Sequence, residues 1–192
     1  NLYTYITLNE NIYSNNYKIN YSLNEETSNP NKIKNDIARE VIKYFNLPPV
    51  IMSFNSDIPS SGSGLASSSS YLIACISAAC KFMGKNLSQF EICKLALKLE
   101  RNFNPLTGYQ DPYGCGIGGL KKYNFYKDQI TQELLSSSII DNYNLYLIPT
   151  KIKRSSTKIL NTLNIDKSYH LLDLVVKFKN NINNEENFFK LF

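Results

Sequence analysis

Hydroxyls, glycines and two carboxylates, placed at three points of the chain, have the types and spacing to do chemistry. The first point is the stretch Asp57 to Cys80, DIPSSGSGLASSSSYLIACISAAC. Gly62 and Gly64 lack a Cβ, so the backbone there can take positive φ and approach a ligand closely. The serines Ser67 to Ser70 fall at the start of a helical pattern, where first-turn amides have no helix carbonyl to bond and the macrodipole is positive. Amides grouped at a helix start bind anions, and phosphate is the usual one. A Ser/Gly run alone is most often a flexible linker. Here Leu72, Ile73, Ile76, Ala79 and Cys80 follow at helical spacing, and linkers do not lead into cores. The second point is Glu100, which closes the next helical pattern. The third is Asp111, in the Gly-rich segment NFNPLTGYQDPYGCGIGGL. Phosphoryl transfer needs such parts: amides around the phosphates, a divalent cation on oxygen ligands, and a carboxylate beside the attacking hydroxyl. Taken singly, Glu100 is a solvated helix-end charge. Asp111, directly before Pro112, is a helix N-cap with proline at the first helical position. The capping and catalytic readings of Asp111 are compatible.

The elements that must position these groups follow from periodicity. Leu2–Leu8 and Tyr17–Ser22 alternate in β fashion about the polar turn 9–16, which predicts a hairpin. The segment 24–31 reads as a polar loop. Ile33, Ile37, Val41 and Phe45 repeat every four residues and predict an amphipathic helix from about Lys32 to Asn46, stopped by Pro48 and Pro49. Val50–Asn55 is a short strand that delivers the chain to the Gly/Ser loop. A second helix, from Leu87 and Ser88 to about Arg101, buries Ile92, Leu95, Ala96 and Leu99. The Gly-rich segment is expected to be a loop on a scaffold, a usual seat of function. Lys121–Tyr126, Ile130–Leu135 and Tyr143–Pro149 are expected strands, and helical patterns run over 155–163 and from Ser168 onward. Irregular alternation of strands and helices gives an α+β class. Division near residue 140 is expected, with residues 1–140 one domain and 141–192 the start of another.

Composition narrows the function. With 192 residues, 43% of them hydrophobic, the chain can build a real core. A net charge of +5 is mild, and no basic stretch is interleaved with aromatics, so a nucleic-acid partner is not expected. Cys75, Cys80, Cys93 and Cys115 form no C-x-x-C pair and read as reduced thiols. His170 is the only histidine and sits beside Leu171 and Leu172, where a structural role is expected. No segment has the length of a membrane span or the form of a signal peptide, which predicts a cytoplasmic protein without a membrane partner. Both ends read as cut.

The segment DIPSSGSGLASSSS resembles the central P-x(3)-G-L-G-S-S-(S/A) motif of the GHMP kinases, which is not a Walker A loop. TGYQDPYGCGIGGL is similar to the G-K-Q-D-Q-Y…G-G-(F/L) stretch of the heptose 7-phosphate kinase branch of that family. LYTYITL and PTKIKRSSTKIL resemble the same branch. The resemblance implies a GHMP N-terminal domain (ribosomal protein S5 domain 2-like) followed by the beginning of the C-terminal one. It implies transfer of the ATP γ-phosphoryl group to a sugar hydroxyl, with a D-glycero-D-manno-heptose 7-phosphate as acceptor. The alternatives are a galactokinase- or fucokinase-type relative and a non-catalytic nucleotide-binding one. By position, Gly62, Ser63, Gly64, Leu65, Ala66, Ser67 and Ser68 would hold the ATP phosphates. Ser68 and Glu100 would bind Mg²⁺, and Asp111 would be the catalytic carboxylate. Gly108 and Gln110 would shape the sugar site, and Arg154 would meet a substrate phosphate. The chain departs from the family pattern at Ala66 (usually Gly), Tyr109 (usually Lys), Pro112 (usually Gln) and by one extra residue between Pro59 and Gly64. A glycine-rich G-G-G-T-D motif and the C-terminal glycine-rich motif are absent from these residues.

Overall fold

The computed structural model describes residues 2–57, 64–127, 129–144, 146–148, 162 and 168–191. They divide into two compact units, one ending at Ile117 and the other beginning at Gly118.

In the first unit the order is β1 (Thr4–Glu10), β2 (Tyr17–Asn20), β3 (Asn24–Thr27), a 3-10 turn (Pro30–Lys32), α1 (Asp36–Phe45), β4 (Val50–Ser56), α2 (Ser67–Phe82), α3 (Gln89–Glu100) and α4 (Gln110–Gly116). The four strands form one sheet in the order β1-β4-β2-β3. The expected hairpin of the first two strands does not form, because β4 inserts between them. β4 pairs antiparallel with β1, Thr4 opposite Ser56 and Glu10 opposite Val50. It pairs parallel with β2, Ile19 opposite Met52. Alternation marks a strand but does not name its neighbour, and the intervening α1 allows the parallel pairing.

The expected polar loop 24–31 contains β3, an edge strand of sequence NEET antiparallel to β2. Charged residues are what an edge strand tolerates, so it carries no hydrophobic signal. Its Glu25 accepts hydrogen bonds from the amides of Lys34 (2.6 Å) and Asn35 (2.9 Å) and from Tyr21 OH (2.7 Å), which ties the edge to the entry of α1. α1 begins four residues later than its periodicity suggests. Ile33 is buried but closes the 3-10 turn as its C-cap, and Asn35 caps the helix by accepting from Ala38 N–H at 3.0 Å. α3 carries a full capping box between Ser88 and Glu91.

The core sits between the sheet and the helices. Ile19, Val50 and Met52 face Val41 and Ile42 of α1, Leu72, Cys75, Ile76 and Ala79 of α2, and Ile92, Ala96 and Leu99 of α3. The mixed α/β architecture expected from the sequence is therefore present. β4 lies at the centre of this arrangement and hands the chain directly to the head of α2.

The second unit holds the antiparallel pair β5 (Lys121–Tyr126) and β6 (Gln129–Leu134), then α5 (Ser138–Asn142), α6 (His170–Asn181) and α7 (Glu185–Phe189). Ser137 caps α5 and donates to Ile182 O at 2.8 Å. α6 begins at the lone histidine and buries none of its residues. The strand expected over Tyr143–Pro149 is not a strand in its described residues, and α5 takes up the chain just before it. The helix expected over 155–163 lies outside the described residues, Thr162 excepted. Among the described residues no helix is long and apolar enough to cross a membrane.

Candidate active site

The end of β4 is clamped before the loop begins. Asp57 accepts from Tyr3 N–H at 2.8 Å and from Tyr5 OH at 3.1 Å. Beyond the loop, Gly64 (φ 73°) and Ala66 (φ 54°) are both left-handed. A glycine takes this conformation freely and an alanine pays for its Cβ. Ala66 is the N-cap of α2 and makes no side-chain capping bond. The glycine that the family pattern has here is thus explained by the backbone, and the chain holds the same corner with alanine.

The serines that open α2 divide by helical phase. Ser67 and Ser68 face a cavity of about 500 Å³ lined also by Tyr21, Asn35, Ile37, Phe54 and Tyr71. Phe54 sits between Tyr21 and Tyr71, with ring centroids 6.5 and 5.4 Å away. Ser69 turns inward. It is 1% exposed, and its hydroxyl donates to Glu100 Oε2 at 2.5 Å. Ser70 shares a hydrogen bond with Thr4 of β1 at 2.7 Å.

Glu100 is the last residue of α3 and only 3% exposed. Burial pushes its carboxyl above the ordinary value, hydrogen bonds from Ser69 and Ser68 pull it back, and the charge of Asp111 raises it further. The net direction is upward. Among the described residues it has no ion-pair partner. A buried carboxylate at the negative end of a helix, supported by hydroxyls alone, is costly unless a cation joins it. Its donor set, a carboxylate and serine hydroxyls, suits a hard divalent cation that completes its shell with phosphate oxygens and water.

The Gly-rich segment is not a plain loop. Its middle is α4, whose cap is Tyr109, so Asp111 is the second residue of the first turn and does not cap. An acidic residue there is favoured by the helix dipole. Asp111 is exposed. α4 is seated by Tyr113, 1% exposed and packed edge-on against Phe90 at 5.2 Å. It is seated also by Gly116, where a Cβ would lie 2.3 Å from Cys93 Sγ and 3.2 Å from Ile73 Cδ1. Upstream, Arg101 Nε donates to Thr107 O at 3.1 Å and its guanidinium lies 5.2 Å from the Tyr109 ring centroid. Gly108 and Gln110 are exposed beside Asp111. Cys115 follows Asp111 by one helical turn, and its thiol lies 3.8 Å from Ala66 O. Partial enclosure, then the charges of Asp111 and Glu100, push that thiol up to about 11.

The structure therefore brings Ser68, Glu100 and Asp111 to the head of α2, together with Gly64, Leu65, Ala66 and Ser67. Gly62, Ser63 and Arg154 lie outside the described residues. Sequence reasoning missed Ser69 and Cys115. Ser69 had a signal: it precedes Leu72, Ile73 and Ile76 by three, four and seven residues, so it continues the buried stripe backwards. Cys115 stands one turn from Asp111, a spacing that puts both on one helix face.

Residues 31–119 match the family model described as GHMP kinases N terminal domain. A D-glycero-alpha-D-manno-heptose 7-phosphate kinase of Campylobacter jejuni is 34% identical over 96 residues, 48% of this chain and 28% of the relative. A homoserine kinase of Buchnera aphidicola is 33% identical over 112 residues, 55% of this chain and 35% of the relative. The chain thus spans about a third of the length of these curated relatives, or less. In three dimensions it is similar to phosphomevalonate kinase of Streptococcus pneumoniae, solved in complex with phosphomevalonate and AMPPNP. The TM-score is 0.73 at 12% identity, over 97% of this chain and 67% of that one. β4, the serine-headed α2, Glu100 and Asp111 all lie inside residues 31–119, the segment that is similar to the GHMP kinase N-terminal domain.

Proposed function

We propose that the protein is an ATP-dependent kinase of a small hydroxylated metabolite, with a heptose 7-phosphate as the acceptor. The observation that carries this reading is the convergence of Ser68, Ser69, Glu100 and Asp111 at the positive end of α2. In this reading the left-handed corner at Gly64–Ala66 and the first turn of α2 cradle the triphosphate. The cavity beside Ser67 and Ser68, walled by Tyr21, Phe54 and Tyr71, takes the nucleoside. Ser68 and Glu100 hold Mg²⁺, which when bound neutralises charge on the phosphates. Ser69 fixes the Glu100 carboxylate in place.

Asp111 is solvent-open on its own helix and so accessible to an acceptor. It accepts the proton of the attacking hydroxyl as the new O–P bond forms and the bond from the γ-phosphorus to ADP breaks. Gly108, where a Cβ would meet nothing within 4 Å, and Gln110 offer room and an amide beside it for the sugar. Arg154 is assigned to the acceptor's phosphate, which a guanidinium fork suits. The choice of a heptose rests on the Q-D segment around Asp111 and on the Campylobacter relative. The homoserine kinase, at similar identity, shows why the acceptor is the finer part of the proposal. We assign residues 1–140 to the N-terminal domain and 141–192 to the start of the C-terminal one, and place the protein in the cytoplasm.

The test is ADP release from Mg-ATP across a panel of sugar phosphates, free sugars and homoserine, beside Asp111→Asn. Turnover on a heptose 7-phosphate, reduced by about 10²–10⁴-fold in the variant with nucleotide binding retained, is the expected result. Binding of Mg-ATP without turnover on any acceptor overturns it in favour of a non-catalytic nucleotide-binding relative. That second reading is favoured by the strained alanine at φ 54° in the phosphate corner.

A further inference from the structure

The carbonyl of Ala66 is held from two sides. Within α2 it accepts Ser70 N–H at 3.0 Å. From outside, the Cys115 thiol of α4 donates to it, with S···O 3.8 Å. Ala66 itself sits at φ 54° and ψ 31° with no capping side chain, a conformation alanine leaves readily unless its surroundings over-determine it. Cys115 follows Asp111 at i+4 and so shares its face of α4. Of the four cysteines it alone is exposed, and Cys75, Cys80 and Cys93 are buried.

We propose that Cys115 is a positioning residue for phosphate binding: its S–H fixes the Ala66 carbonyl and so keeps the left-handed corner turned for the nucleotide. The inference rests on reading the head of α2 as the phosphate cradle. The donor stands on a helix already seated by Tyr113 and Gly116, so the contact transmits that fixed position to the corner and leaves Asp111 where it is. A thiol is a weak donor, so the effect falls on ligand affinity, where small changes in loop population are read directly.

The experiment compares Cys115→Ala and Cys115→Ser in the full chain, with Mg-ATP affinity by calorimetry and steady-state kinetics alongside. Cys115→Ala is expected to raise Kd and KM for Mg-ATP about fivefold, the scale of one modest hydrogen bond, with kcat within about twofold. Cys115→Ser, a stronger donor on a shorter bond, restores part of the loss in both constants. In an Ala66→Gly background Cys115→Ala has little effect, since glycine holds the corner unaided. Equal affinity in the parent and both variants overturns the proposal. So does a loss of kcat at unchanged KM, or an equal loss for Ala and Ser. A parent chain that binds no Mg-ATP overturns the kinase reading, and this inference with it. Binding that ignores Cys115 overturns this inference alone.

Discussion

Ser69 of α2 donates its hydroxyl to Glu100 of α3 across 2.5 Å, in a buried setting and between residues 31 apart in sequence. This bond joins the helix that would cradle phosphate to the one that supplies a carboxylate. Ser69→Ala removes the donor and leaves the acceptor buried. It should lower unfolding free energy by about 1–3 kcal/mol, measured as a shift of the urea midpoint at unchanged slope. Ser68→Ala, at a half-buried position facing the cavity, should cost less stability and more nucleotide affinity.

Glu100 gives a pH signature. Its folded-state carboxyl is raised above the ordinary 4.5, burial being the largest cause. A raised carboxyl contributes stability in full below the unfolded value and loses it as pH climbs through the folded one. Metal-free protein at neutral pH therefore carries a cost that Glu100→Gln relieves. The variant should melt at higher temperature than the parent at pH 7 to 8, with the gap closing below pH 4.5. Mg²⁺ with nucleotide should raise the melting temperature of the parent and not of the variant. Phosphoryl transfer should fall by about 100-fold or more. A variant that melts below the parent at neutral pH would contradict the assignment.

Ala66→Gly relieves the left-handed strain at φ 54°. Against the extra freedom that glycine gains in the unfolded chain, the balance should still favour the folded state by about 0.5–1 kcal/mol. Denaturant titration checks this, and a midpoint below that of the parent would show that the corner is not strained.

Two glycines of α4 should behave oppositely. At Gly116 a new Cβ would meet Cys93 Sγ at 2.3 Å, whereas at Gly114 it meets nothing within 4 Å. Gly116→Ala should destabilise by about 1–3 kcal/mol and displace Asp111 with its helix. Adding Cys93→Ala, which vacates the space, should recover most of that loss. Gly114→Ala, inside the same helix, should be neutral or slightly stabilising. Thermal melts of the four proteins are the check.

The elements that position the site were legible because each is local. The four-residue repeat of α1, the apolar run of β4 and the stripes of α2 and α3 lie in the sequence as periodicities. What failed were relations between segments. β1 and β2 read as neighbours because they are consecutive, but both pair with β4, and only the folded sheet shows it. NEET has no apolar alternation because it is an edge. α4 hid behind its two glycines, of which Gly116 serves close packing. In the site, Ser68, Glu100 and Asp111 were carried by resemblance. Four serines in a row cannot be told apart by type, and only the phase of the buried stripe assigns Ser69 to the carboxylate.

The strand order β1-β4-β2-β3 also bears on how the chain is born. β2 and β3 are a local hairpin and can pair as soon as both leave the ribosome. Among the described residues β1 precedes the other strands and has β4 as its only sheet neighbour, so that pairing must wait while α1 is made. Such non-local pairing is slow and leaves an edge open to other chains. When β4 arrives it joins β1 on one side and β2 on the other, and the Gly/Ser segment follows it in sequence. Completion of the sheet and formation of the left-handed corner at Gly64 and Ala66 then come late and together, and a nascent chain stalled before residue 50 would have neither.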